Sequence, residues 1–294
     1  MTSMNARLSL AREDGALRAQ LSEDEWASVV GAARSAGAND LPGMPPWAEP
    51  ARAGASTAPE GPHRESAVRV ARTGPSHVAD QGAVVVDDAL LEAALLRAPI
   101  LEIELATSHG QLGLLGVIRS DLTSASTVVR RVTTTPGGGP RATSLLEGIE
   151  VSAFPLDRLM DEVMRLVPDP GDVVTVAPAA IPMELSVALG AALRRGDREM
   201  VAAICADLRL GEAPEIVRSL VHSLTGSCAV TIRGAVEGPV SVGSWMLADC
   251  GWVEVAVDEE DIVHHRPLSR GDIRTRILAA TVGRVASLQQ TGAR

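Results

Sequence analysis

Residues 100–167 contain, in order, ILEIELAT (100–107), GLLGVIR (113–119), TVVRRVT (127–133), GIEVSAF (148–154) and PLDRLMDEVMRLV (155–167). The first four runs alternate or are rich in β-branched residues, which predicts strands. The fifth carries Leu156, Leu159, Met160, Val163 and Leu166 at helical spacing, with proline where a first turn tolerates it. The same order returns as CAVTIRG (228–234), SVGSWML (241–247), WVEVAVD (252–258), DIVHHR (261–266) and PLSRGDIRTRILAATVGRVASL (267–288). Both helix entries hold a proline–leucine step, Pro155-Leu156 and Pro267-Leu268. Two copies of four strands and a helix predict an α+β fold: a pseudo-twofold, duplicated antiparallel sheet flanked by helices.

In the first strand Leu101, Ile103 and Leu105 alternate with Glu102 and Glu104. That pattern predicts one dry face and one wet face, the wet one carrying Glu102, Glu104, Glu150 and Glu254. Ahead of the strand, DDALLEAALLR (87–97) predicts a helix stopped by Pro99. Residues 41–82 are rich in Pro, Ala, Gly and Ser, which predicts a disordered linker. Before it, Ser22 and Glu25 form a capping-box signature for a helix through Trp26, Val29, Val30 and Ala33. A looser helix is expected from Asn5 to Gln20. The chain thus divides into an N-terminal helical segment (1–40), the linker (41–82) and a duplicated domain (83–288, halves 83–168 and 169–288). Helices at 183–195, 198–208 and 214–224 open the second half, separated by Gly196 and Gly211.

The chain has 294 residues and a formal net charge of −10. An acidic surface repels phosphate, and aromatic residues, at 2%, are too few for base stacking, so nucleic-acid binding is disfavoured. No window approaches the roughly 20 apolar residues of a membrane span, and the N-terminus lacks a secretion-signal pattern. A cytoplasmic protein without membrane insertion is expected. Cys205, Cys228 and Cys250 lack metal-ligand spacing and read as buried thiols.

No nucleophile elbow or phosphate loop is present. PGGGP (136–140) lacks the lysine a phosphate loop requires. His264 and His265 are adjacent in a strand and point to opposite sides, so they do not share a metal. Asp258-Glu259-Glu260-Asp261 reads as a solvated turn. No cofactor, metal or catalytic residue is therefore assigned. What remains is binding: Trp245 and Trp252, in a chain nearly without aromatics, as partner anchors, with Glu254, Glu102 and Glu104 beside them.

LSEDEWASVVGAA (21–33), DDALLEAALLRAPILEIEL (87–105), SVGSWMLADCGWVEV (241–255) and RPLSRGDIRTRILAAT (266–281) carry a further signal. Together they resemble the EspG family of actinobacterial ESX (type VII) secretion-associated chaperones, in order over most of residues 21–288. The resemblance implies a cofactor-free cytosolic chaperone. It would bind helical-hairpin secretion substrates (WxG-type or PE/PPE-like) and keep them soluble. The long 41–82 link and the low aromatic content depart from the family pattern. Two other classes stay open: an enzyme with a dispersed site around Cys228, His222 and His264, and a module that forms a homodimer through a sheet edge.

Overall fold

The computed structural model describes residues 11–13, 16–35, 99–121, 123–134, 142–234 and 240–291. The helix expected at 87–97 and the linker at 41–82 lie outside them. The strands are β1 (Ala11–Glu13), β2 (Ala16–Leu21), β3 (Leu101–His109), β4 (Leu112–Ser120), β5 (Ser124–Thr134) and β6 (Ala142–Pro155), then β7 (Ala179–Pro182), β8 (Gly226–Gly234), β9 (Val240–Ala248), β10 (Gly251–Val257) and β11 (Ile262–Leu268). The helices are α1 (Glu23–Ser35), α2 (Leu159–Leu166), α3 (Met183–Arg195), α4 (Arg198–Asp207), α5 (Glu215–His222) and α6 (Arg270–Thr291). A 3-10 turn over Leu156–Arg158 leads into α2.

All pairings are antiparallel in one sheet of order β1-β2-β6-β5-β4-β3-β8-β9-β10-β11-β7. The protein is therefore mixed α+β with a large antiparallel sheet. Outward from the central β3–β8 pair, one side runs β4, β5, β6, β2 and the other runs β9, β10, β11, β7. The chain after β2 leads to α1, and that after β7 to α3, so a helix follows each of these outer strands.

Residues directly opposite across an antiparallel pair share a face, which sorts the side chains. On the front face Leu101, Ile103, Leu105, Ile118, Val129, Cys228, Val230 and Ile232 form one core with α2 and α6. On the back face Val117, Val128, Ile149 and Val151 meet Trp26 and Val30 of α1. Farther along, Ile181, Ala248 and Val253 meet Leu189, Ile204 and Ile216 of α3–α5. Both faces are covered, in different places, so alternation separates two cores instead of dry from wet.

Over residues 11–13 and 16–20 the loose helix expected from Asn5 to Gln20 is corrected to strands; residues 5–10 lie outside the described residues. Ala19 and Leu21 are buried on the back face and β2 pairs with β6 over Leu17–Leu21, so residues 16–21 of the N-terminal segment are part of the sheet. Local signals behave as read elsewhere. The Ser22 amide and hydroxyl donate to Glu25 at 2.8 and 2.9 Å, closing the capping box. Ser269 and Asp272 build a second one at the start of α6. Gly196 ends α3 at φ +68°, in the left-handed region glycine adopts without steric cost.

Candidate functional site

The structure relocates the residues expected to meet a partner. Trp245, opposite Cys228 and Glu254, and Trp252, opposite Leu247 and Leu268, lie on the front face. Both are 0% exposed, in the core with Ile273 and Ile277 of α6. As core rings they offer no surface to a partner. Their indole N–H groups have no hydrogen-bond partner among the described residues. Glu254 sits beside them and is gripped by both guanidinium nitrogens of Arg276, one at 3.0 Å, so it fastens α6 to the sheet.

Glu102 and Glu104 lie on the back face instead, so the single wet face expected for Glu102, Glu104, Glu150 and Glu254 does not exist. Glu102 is buried and accepts from Arg119 Nε at 2.8 Å; Glu104 accepts from Arg233 Nε at 3.0 Å. Burial raises the Glu102 pKa, and the neighbouring Arg119 only partly offsets it. Glu150 is on the front face, paired with Arg165.

The residues of a dispersed Cys/His centre are not brought together. Cys228 is fully buried on β8, and burial pushes its thiol up to about 12. His264 is three strands away on β11, roughly 14 Å at ordinary strand spacing, with its Nε2 bonded to Asp258 at 2.7 Å. His222 ends α5, which packs against the back face. His265 points to the back face and is buried, which lowers its pKa. Among the described residues no group of three or more His, Cys, Asp or Glu is placed to hold a metal. No helix among them is long and apolar enough to cross a membrane. The sheet edges are short: β1 has three residues, and β7 has four and ends in Pro182. Short edges, one of them closed by a proline, discourage edge-to-edge pairing.

A site with open apolar surface, between two helices, is one that strand and motif reading missed. On the front face α2 and α6 run antiparallel. Arg270, at the start of α6, donates to the Met164 and Val167 carbonyls at the end of α2, to the latter at 3.1 Å. Cations at a helix C-terminus satisfy its free carbonyls. One turn farther, Arg274 Nη1 pairs with Asp161 at 3.0 Å. Beyond that rung the helices enclose a cleft of about 490 Å³. Its α2 side presents Leu156, Asp157 and Met160, its α6 side Leu278, Val282 and Val285, and its floor Leu101 and Ser120. Leu278 is 43% and Val282 57% exposed.

The α2 wall is held from beneath. Glu162, 3% exposed, accepts from Arg18 of β2 at 2.5 Å, from the Ser152 hydroxyl at 2.9 Å and from Arg165 at 2.8 and 3.0 Å. Burial would raise its pKa, but Arg165 and Arg18 outweigh it and the net shift is downward. Glu162 therefore stays ionised and ties helix, β6 and β2 together. The signal for the cleft was in α6 itself: Leu278 and Val282 lie off the Ile273–Ile277–Ala280 stripe, so the helix has more apolar surface than one sheet face can cover.

No protein-family model matches the chain, and no curated protein matches it. Among solved structures the chain is similar to a variant of the PpsC dehydratase domain from Mycobacterium tuberculosis, at 13% identity over 62% of this chain and 82% of that one, with a TM-score of 0.16. It is also similar to an N-terminal dehydratase from a difficidin assembly line, at 10% identity over 65% and 85% of the two chains, with a TM-score of 0.14. Overlaps of this size carry no statement about fold or activity.

Proposed function

We propose that this chain is a non-enzymatic cytoplasmic chaperone or adaptor of the EspG type, its two halves descended from one duplicated unit. It binds a helical-hairpin substrate of a type VII secretion system, WxG-type or PE/PPE-like, and keeps its apolar tip out of water. The observation that carries this reading is the cleft between α2 and α6, where Leu278 and Val282 stand exposed on an antiparallel helix pair. Exposed apolar surface at a groove between helices suits an amphipathic helix, whose own apolar face fills the gap. The matching order of partners outward from β3 and β8 supports the duplication.

Co-expression with paired WxG-type or PE/PPE-like proteins tests the reading. The expected result is a complex that co-elutes on size exclusion and keeps the substrate soluble at concentrations where it precipitates alone. Recovery of the chain always alone, with every such pair tried, would overturn it.

A further inference from the structure

Among the described residues the antiparallel pairing of α2 and α6 makes a ladder with one rung unfilled. Positions 270, 274 and 278 are one turn apart on α6, and positions 161 and 157 are one turn apart running back from α2 into the turn before it. Arg270 meets the end of α2. Arg274 meets Asp161. The next step sets Leu278 against Asp157, and both line the cleft. Where the ladder calls for a cation, α6 supplies an apolar side chain. The nearby cations Arg158 and Arg274 are both engaged with Asp161, at 3.5 and 3.0 Å.

Resting on the chaperone reading above, we infer that the guest supplies the missing rung. The cleft takes a helix that places an apolar side chain against Leu278, Val282 and Met160 and a lysine or arginine one turn away, on Asp157. The charge balance favours that choice: the chain carries a net −10, and an anionic guest would meet both Asp157 and the long-range field. A carboxylate at the mouth of an apolar cleft adds little to affinity but rejects the wrong sign, so Asp157 is a specificity-determining residue.

The test uses the full-length chain and two labelled designed amphipathic helices of roughly 18 residues, long enough to hold helical structure. Both carry a leucine pair at i and i+4; one has Arg a turn beyond, the other Glu. Fluorescence anisotropy with the unmodified chain should favour the Arg helix by about fivefold, the scale of a partly exposed ion pair. Asp157→Arg should reverse the preference, and Val282→Glu should abolish binding of both. Circular dichroism should show melting midpoints within about 2 °C of the unmodified chain, since neither residue is in the core.

Equal binding of the two helices, a preference that Asp157→Arg leaves unchanged, or no binding of either would overturn the inference. Self-association that Val282→Glu abolishes would name a second copy as the occupant and overturn it too. The two readings separate cleanly. If co-expressed substrate stays bound to the Asp157→Arg and Val282→Glu variants, the cleft inference falls and the chaperone reading stands. If substrate never co-purifies with the unmodified chain, the chaperone reading falls whatever the designed helices do.

Discussion

The indole of Trp245 lies over Gly243, two residues earlier on the same face of β9. A methyl group on Gly243 would stand 2.5 Å from the ring's Cζ2 and 2.8 Å from Cε2. The ring is fully buried and cannot swing away without displacing the α6 packing. Gly243→Ala should therefore destabilise the fold by about 1–3 kcal/mol, the usual cost of overpacking. Urea unfolding should show a lower midpoint at an unchanged slope. Combining it with Trp245→Phe should cost less than the sum of the two single changes, because the smaller ring vacates the contested space.

Burial of the tryptophans has a spectroscopic consequence. Trp26, Trp245 and Trp252 are each 0% exposed. In a Trp47→Phe chain the remaining emission should be blue-shifted relative to the unfolded protein and resist iodide. Adding a bound helix should leave it unchanged, because the cleft is lined by other residues. Iodide quenching close to that of the unfolded chain would show that these rings are reachable after all.

The three cysteines should be silent in the native protein. Cys205, Cys228 and Cys250 are all free and buried. Burial is the leading cause of the raised pKa of each, and that of Cys228 reaches about 12. The thiolate is the reactive form, so Ellman's reagent at pH 8 should label none of them quickly. All three should react on unfolding. Labelling should follow the opening of the structure, and a fast native phase would contradict the packing.

The strands β3–β6 and β8–β11 were legible because their runs alternate and are bounded by turn residues. The stripes of α2 and α6 were legible for the same reason at helical spacing. β2 was not: ALRAQL is only six residues and holds two arginine or glutamine positions, so its strand character appears only against the free edge of β6. The position of Glu254 was also hidden. Alternation in WVEVAVD puts Glu254 on the side opposite Val253 and Val255, but those valines face α3–α5 while Trp252 and Glu254 face α6. With helices on both faces, hydrophobic pattern names the face and not what covers it. Asp157 needed more still, since its unfilled rung exists only once α2 and α6 are known to run antiparallel.

Glu162 and Glu102 are both buried and both paired with arginine, yet they should respond oppositely to acid. Glu162 has a pKa below its ordinary 4.5, because several guanidinium contacts outweigh burial. The folded state therefore holds its proton less tightly than the unfolded state. Its contribution to stability is full above pH 4.5 and is lost as pH falls through the folded value. Glu102 has a pKa above 4.5, because burial dominates. Its ionised form disfavours folding, and that penalty disappears as pH falls through the raised value toward 4.5. Glu162→Gln should cost about 2 kcal/mol at pH 7, reduced from the full cost of a broken buried pair because Arg18 and Arg165 reach water. Its deficit should shrink below pH 4.5, where the native carboxyl also becomes neutral. The gap between native protein and Glu102→Gln should move the other way, the native protein gaining relative stability as pH drops from 7 toward 4.5. Urea midpoints across pH 3.5–7 measure both, and parallel curves for the two variants would show that burial does not dominate at Glu102.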